Sequence, residues 1–336
     1  MKRINVFING FGRIGRALMR RLLEDDRFEI VGINDIYRRE QFAYLLQFDS
    51  VYGRLRYGVE QKNDRIMVAD RIIPLFNEEK VESKALYDLD IDILFQCTGI
   101  HLTCRANQPF LDSGVKKIIV SAPPLDDMPM FIGSINDDQY QGERIVSAAS
   151  CSANAIAPVL KLLNEYAGVE AAGVSMIHSY TAEQKLLDVL VNTSELLRCR
   201  SASSNILPLS SSATVTVEKL LPQLDGRIQT HSIRVPVPAG TLYDFSMQLI
   251  QSIHAEDLNK IFEHAAHNEY KELLAVTENV LASSDIIGDL HGITIEKKRT
   301  VNVGGKFVRL MGWQDNEVGY VSQMIKLALR LMEMKN

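Results

Sequence analysis

Three groups of residues in this sequence could do chemistry. Cys151 stands in "SAASCSAN", residues 147–154, among small and hydroxylated neighbours. A thiol there can attack a carbonyl as its thiolate, or fill a gap as a small apolar side chain, which is the commoner use of a free cysteine. Further on, the apolar run "GVEAAGVSMIH" ends at His178, followed by Ser179, Tyr180 and Thr181. A polar stretch rich in hydroxyls then carries Arg198, Arg200, Ser211 and Ser212, and Arg234 opens "RVPVP". Singly, such segments are ordinary loops, and a histidine on an apolar strand is usually structural. The third group is Gly10, Gly12 and Gly15, in G-x-G-x-x-G spacing.

The glycines carry meaning through what surrounds them. Arg3 to Ile8 is a short β-type run, and "RIGRALMRRLL" sets Ile14, Leu18 and Leu22 on one helical face. A second apolar run, "EIVGIN", ends in Asp35, twenty residues past Gly15. Strand, glycine turn, helix and acid at that distance form a dinucleotide-binding fingerprint. Glycine lets backbone approach a pyrophosphate, the helix N-terminus supplies N–H groups, and the acid accepts bonds from the adenosine ribose hydroxyls. The loop Gly10, Phe11, Gly12, Arg13, Ile14, Gly15 and the carboxylate of Asp35 are therefore the expected cofactor contacts. Asp35 repels a 2′-phosphate and favours NAD over NADP, although Arg38 and Arg39 stand close enough behind it to pair one. "IDILFQCTG" and "KKIIVSAPP" read as buried parallel strands, whose ends place Thr98, Gly99, Ser121 and Ala122 at the cofactor floor. Cys97 and Cys104 have no base or metal partner nearby in sequence and read as structural.

A chain of 336 residues exceeds one ordinary core and suits two domains. The net charge, 37 − 42 = −5, gives no footprint for nucleic acid. Four cysteines without C-x-x-C spacing argue against a zinc site and a disulfide framework, so no metal is expected. No apolar stretch approaches the ~20 residues of a membrane helix, and the N-terminal apolar run is too short for a signal peptide. A cytoplasmic location without membrane attachment follows as the expectation. The fold class is α/β: a Rossmann-type doubly wound parallel sheet over 1–150, then an α+β catalytic domain with a mostly antiparallel sheet over 151–315. The last segment, 316–336, reads as a helix packing back on the first domain through Met324, Leu327 and Leu331. His231, His254, His264, His267 and His291 show no ligand spacing.

Seven motifs, "INGFGRIGR", "LLQFDSVYGR", "CTG", "ASCSAN", "HSYT-x-x-Q", "RVPVP" and "W-x-DNE-x-GY", occur in order. In this the chain resembles the phosphorylating glyceraldehyde-3-phosphate dehydrogenases from end to end. The resemblance implies that Cys151 is the nucleophile, forming a hemithioacetal and then a thioester, with His178 as its ion-pair partner and base. It implies that NAD accepts the hydride and that inorganic phosphate releases an acyl phosphate. Thr181 and Arg234 match the substrate-phosphate position, and Ser150, Ser152, Arg198, Ser211 and Ser212 match the inorganic-phosphate position. Arginine suits both, because its planar fork donates paired hydrogen bonds to oxyanions. Asn316 matches the asparagine that orients the nicotinamide amide, with Tyr320 near it. The family is homotetrameric, with a loop from the 178–204 region reaching the neighbour's cofactor site.

The sequence departs from the family pattern at definite points. "ASCTTNC" becomes "ASCSANA", and Pro158 falls inside the helix expected after Cys151, where it should kink or interrupt it. Glu183 replaces the usual aspartate, "GRAAA" becomes "CRSAS", and Ser212 replaces a glycine whose bare backbone the phosphate loop would need. Two rival readings stand beside the triose enzyme: an erythrose-4-phosphate dehydrogenase, in which water takes the thioester, and a non-catalytic NAD-binding paralogue.

Overall fold

The computed structural model describes residues 3–79 and 83–334, and the chain divides into two units, 1–149 with 324–336 and 150–323. In the first unit the apolar runs become strands covered on both faces. Ile93–Gln96 and Lys117–Val120 are buried at every position, as parallel strands between helix layers must be. The sheet order is Ile145–Ser147, Lys117–Val120, Ile93–Gln96, Ile4–Asn9, Phe28–Asn34, Arg71–Phe76, Arg65–Val68 and Val59–Lys62. The first six strands run parallel and the last two turn back as antiparallel ribbons. The sheet grows outward both ways from its first strand, so the order reverses between Ile4–Asn9 and Ile93–Gln96. Ligands bind beyond the carboxyl ends of strands at such a switch point.

The last helix runs Val318–Glu333. It starts two residues later than expected because Asp315 Oδ1 accepts the N–H groups of Glu317 and Val318, both at 2.9 Å, and so caps its first turn. The first unit takes over this helix at Met324. There Met324, Leu327 and Leu331 are buried and Arg330 pairs with Asp137.

The second unit is built on a sheet ordered Leu207–Leu209, Ile228–Val235, Val169–Ser179, Thr241–Leu249, Phe307–Gln314, Ile293–Glu296 and Leu274–Thr277, with Val301–Val303 also on Phe307–Gln314. Its pairings are mostly antiparallel, the exceptions being Val169–Ser179 with Ile228–Val235 and Leu274–Thr277 with Ile293–Glu296. Thr241–Leu249 alternates buried and half-buried along its length, the period of a strand with one face on the core. The helix Cys151–Ala167 runs through Pro158 without a break, so of the expected kink or interruption the interruption does not occur. Proline removes one intrahelical hydrogen bond, a cost of about 3 kcal/mol. Burial of Ile156, Val159, Leu160, Leu162 and Leu163 on this helix offsets it at about 1.5–3 kcal/mol per side chain.

Candidate active site

In the first unit, the turn after Ile4–Asn9 is held by glycine for two separate reasons. Gly10 has φ +97°, and a Cβ there would stand 2.5 Å from the Cys97 carbonyl carbon; a Cβ on Gly15 would stand 2.0 Å from Gly10 O. Helix Arg13–Leu22 can therefore sit directly on the strand end. Gly12, its N-cap, has open space where a side chain would be, and no side chain caps the first turn. An uncapped helix N-terminus with bare approach is a ready seat for a pyrophosphate. Asp35 Oδ2 accepts from Phe11 N at 2.6 Å and Oδ1 from Tyr37 N at 3.3 Å, which fixes the carboxylate beside the loop. Phe11, Gly12, Arg16, Asp35, Tyr37 and Phe42 line a cavity of about 250 Å³. The residues present thus fit a dinucleotide: loop and helix for the phosphates, Asp35 for the ribose. Ile14 is half-buried, and Arg13 turns aside to pair with Asp49 at 2.6 Å over the ring of Tyr52.

Thr98 Oγ1 donates to Gln96 Oε1 and Ser121 Oγ to Gln96 O, both at 3.0 Å, and Gly99 takes φ +74°. Gln96 belongs to a buried series of amides that the motif reading missed. Asn34 Nδ2 donates to Asn9 Oδ1 at 2.9 Å, Asn9 Nδ2 to Gln96 Oε1 at 3.0 Å, and Gln96 Nε2 to Asn107 Oδ1 at 3.2 Å. The signal was available: "FIN", "GIN" and "LFQ" each close an apolar strand with a carboxamide.

The second unit holds the thiol. Cys151 is the first residue of its helix, and Ser150, expected as a phosphate ligand, is the N-cap, accepting from Ala153 N at 3.0 Å. The helix N-terminus stabilises negative charge on sulfur. His178 lies at the end of Val169–Ser179, and its Nε2 is 3.9 Å from Cys151 Sγ. His178 Nδ1 lies 2.7 Å from Ser179 O, and the tautomer that donates there is the one that leaves Nε2 unprotonated towards the thiol. Arg234 is the register partner of His178 on the parallel neighbour strand; its Nη1 donates to Ser179 O at 3.0 Å and approaches His178 Nδ1 to 2.6 Å. Ser152 Oγ is 4.0 Å from the sulfur.

Burial pushes the Cys151 thiol up, against the opposing pull of Arg234. Burial, then the Arg234 charge, push His178 down to about 3. Burial thus disfavours charge on both groups, while Arg234 favours the thiolate and opposes the imidazolium. The cation that favours thiolate here is Arg234, and the loss of water around both groups opposes it.

Two side chains that no motif singled out hold the turn at Cys151: Gln314 Nε2 donates to Cys151 O at 3.0 Å, and Tyr243 Oη donates to Gln314 Oε1 at 2.8 Å. Asn316 Oδ1 accepts from Ser179 Oγ at 3.0 Å and from Gly240 N at 3.2 Å, which sets its amide group with Nδ2 as the remaining donor. Tyr320 is buried in the last helix.

The other expected anion ligands are less gathered. Thr181 N and Oγ1 both bond Gln184 Oε1, at 2.7 and 3.0 Å. Arg198 is held by Glu195 at 2.6 Å and Glu183 at 3.2 Å. Ser211 Oγ accepts from Ala213 N at 3.1 Å at the start of helix Ala213–Leu220, and no hydrogen bond among the described residues joins Ser211 or Ser212 to Arg198 or Ser152. Ser212 has φ −81°, a conformation open to any residue, so the backbone shape alone does not call for glycine there. No group of three or more metal-binding side chains occurs among the described residues, and no described helix is long and apolar enough to cross a membrane.

Comparison with known proteins agrees with this geometry. Residues 4–104 match the family profile described as glyceraldehyde 3-phosphate dehydrogenase, NAD binding domain, and residues 150–316 match its C-terminal domain. The glyceraldehyde-3-phosphate dehydrogenase of Haloarcula vallismortis is 36% identical over 335 residues, covering 98% of each chain. Glyceraldehyde-3-phosphate dehydrogenase 2 of Streptomyces avermitilis is 35% identical, over 97% of this chain and 98% of the relative. Glyceraldehyde-3-phosphate dehydrogenase 1 of Kluyveromyces marxianus is 32% identical, over 96% and 98%. With a cysteine at a helix N-terminus facing a buried histidine, and full-length similarity of this kind, the chain belongs to the glyceraldehyde 3-phosphate dehydrogenase family.

Proposed function

We propose that this chain oxidises D-glyceraldehyde 3-phosphate to 1,3-bisphosphoglycerate, with NAD and inorganic phosphate as co-substrates. The observation that carries this reading is Cys151 Sγ at 3.9 Å from His178 Nε2, with Arg234 beside both. Sulfur adds to the aldehyde carbon while Nε2 takes the thiol proton and hands it to the carbonyl oxygen, giving a hemithioacetal. Nε2, neutral again, then takes the hydroxyl proton as the carbon is oxidised to a thioester. Positioned base catalysis of this kind is worth about 10²–10⁴ in rate. The glycine loop and Asp35 would hold NAD, which would supply the hydride acceptor. Asn316, with its Oδ1 already committed, is oriented to donate through Nδ2 to a carboxamide. Arg234 and Thr181 suit the substrate phosphate, and Arg198 with the serines suits the attacking phosphate. Free thiols throughout the chain suit a reducing compartment such as the cytoplasm.

A single kinetic experiment tests the reading. NADH formation with the triose phosphate should rise strongly with inorganic phosphate, and NAD should outperform NADP because Asp35 meets a 2′-phosphate with like charge. A rate indifferent to phosphate would replace this assignment by the hydrolytic erythrose-4-phosphate reading. We also propose a homotetramer. The loop 180–206 exposes Leu186, Leu187, Leu190, Leu196 and Ile206, each more than half accessible, and such apolar surface is normally covered by a partner. Light scattering should give a mass near four chains; a single-chain mass at micromolar concentration would refute the assembly.

A further inference from the structure

The arginine assigned above to inorganic phosphate is already engaged by two carboxylates. Glu195 Oε2 accepts from Arg198 Nε at 2.6 Å, and Glu183 Oε2 accepts from Arg198 Nη1 at 3.2 Å. Glu195 also takes Ser210 N on Oε1 at 2.6 Å and Ser210 Oγ on Oε2 at 3.0 Å. Guanidinium, backbone N–H and hydroxyl are the donors that a phosphate would use, and the last two, both of Ser210, stand immediately before Ser211 and Ser212. Although desolvation opposes its charge, the bonds from Ser210 and Arg198 hold Glu195 below the usual carboxylate range, so it is ionised at neutral pH. Two anions face one guanidinium there, and the Coulomb influence of Glu183 also reaches Arg234.

We propose that Glu195, seconded by Glu183, is an internal competitor for the attacking anion, so that inorganic phosphate reaches the thioester only by displacing a carboxylate from Arg198 and Ser210. This rests on the function proposed above. Glu195 touches no reacting atom; it acts through Arg198 and sets the choice between two acceptors. In phosphorolysis a phosphate oxygen bonds the acyl carbon, the C–S bond breaks with its electron pair on sulfur, and the phosphate's proton returns to Cys151. With the carboxylate in place, water makes the same bond, giving a carboxylic acid and the same thiol. Neither route changes oxidation state.

The test compares the wild type with Glu195→Gln and Glu183→Gln. It reads three quantities: the rapid NADH burst without phosphate, KM for inorganic phosphate, and the ratio of acyl phosphate to acid. Glu195→Gln should keep the burst, lower KM for phosphate by about tenfold and raise the acyl phosphate share, as expected when one charge-assisted pair is lost. Glu183→Gln should move both in the same direction by less, because its contact is longer and its carboxylate is 77% exposed. It carries the test alone if Glu195→Gln does not fold. An intact burst with KM unchanged or raised would overturn the competition. A wild type with no burst would instead bring down the proposed function, and this inference with it.

Discussion

Cys151→Ser is expected to cut aldehyde oxidation by about 10⁴-fold or more, in line with loss of a nucleophile from a catalytic unit. Serine is nearly isosteric and well tolerated in the first turn of a helix, so Ser150 should still cap Ala153 and Gln314 should still hold the carbonyl of residue 151. The dinucleotide loop and Asp35 lie in the other unit and are untouched. The variant should therefore bind NAD with unchanged affinity in a titration, while rapid mixing shows no NADH burst. Retention of more than a tenth of the wild-type burst would show that the thiol is not the attacking group.

His178→Asn should reduce kcat by about 10²–10⁴, the usual worth of a positioned base. It should also change how stability depends on acid. Burial, aided by Arg234, sets the folded His178 near 3, against about 6.5 in the unfolded chain. Between those values the unfolded chain binds a proton that the folded one refuses. Stability therefore falls as pH drops through the window, by about 2 kcal/mol at pH 5 for this residue. Asparagine does not titrate, so the variant should lose that much less on going from pH 7 to pH 5. Urea denaturation at the two pH values measures it. Equal losses in both proteins would mean that His178 is not held neutral by its surroundings.

What could be read from residue order alone was what is local. The glycine turn, its helix and Asp35 lie within one strand–helix–strand unit, where spacing directly reflects geometry. The strand ends at Thr98 and Ser121 follow from the rule that parallel strands present ligands at their carboxyl ends. The approach of Cys151 to His178 is another matter: a helix start and a strand end come together only through the second sheet, and no spacing announces it. The resemblance supplied that pairing. It could not supply the electrostatics, because burial and Arg234 set them, and Arg234 faces His178 only by parallel register. Glu195 escaped notice for a similar reason, since one acid in a polar loop has no signature until its partners are known. The break expected at Pro158 failed in the opposite direction, as a local rule outweighed by packing.

The amide series beneath the central strands has a consequence for descent. Asn34, Asn9, Gln96 and Asn107 point head to tail, and the last donates to the carbonyls of His101 and Thr103, both at 2.9 Å. Each is 4% exposed or less. Exchanging one for an apolar residue strands a donor on one neighbour and an acceptor on the other, at about 1–3 kcal/mol apiece. Descendants of this sequence can therefore drift at these four positions only by changing several together, and most single steps away from the set are closed.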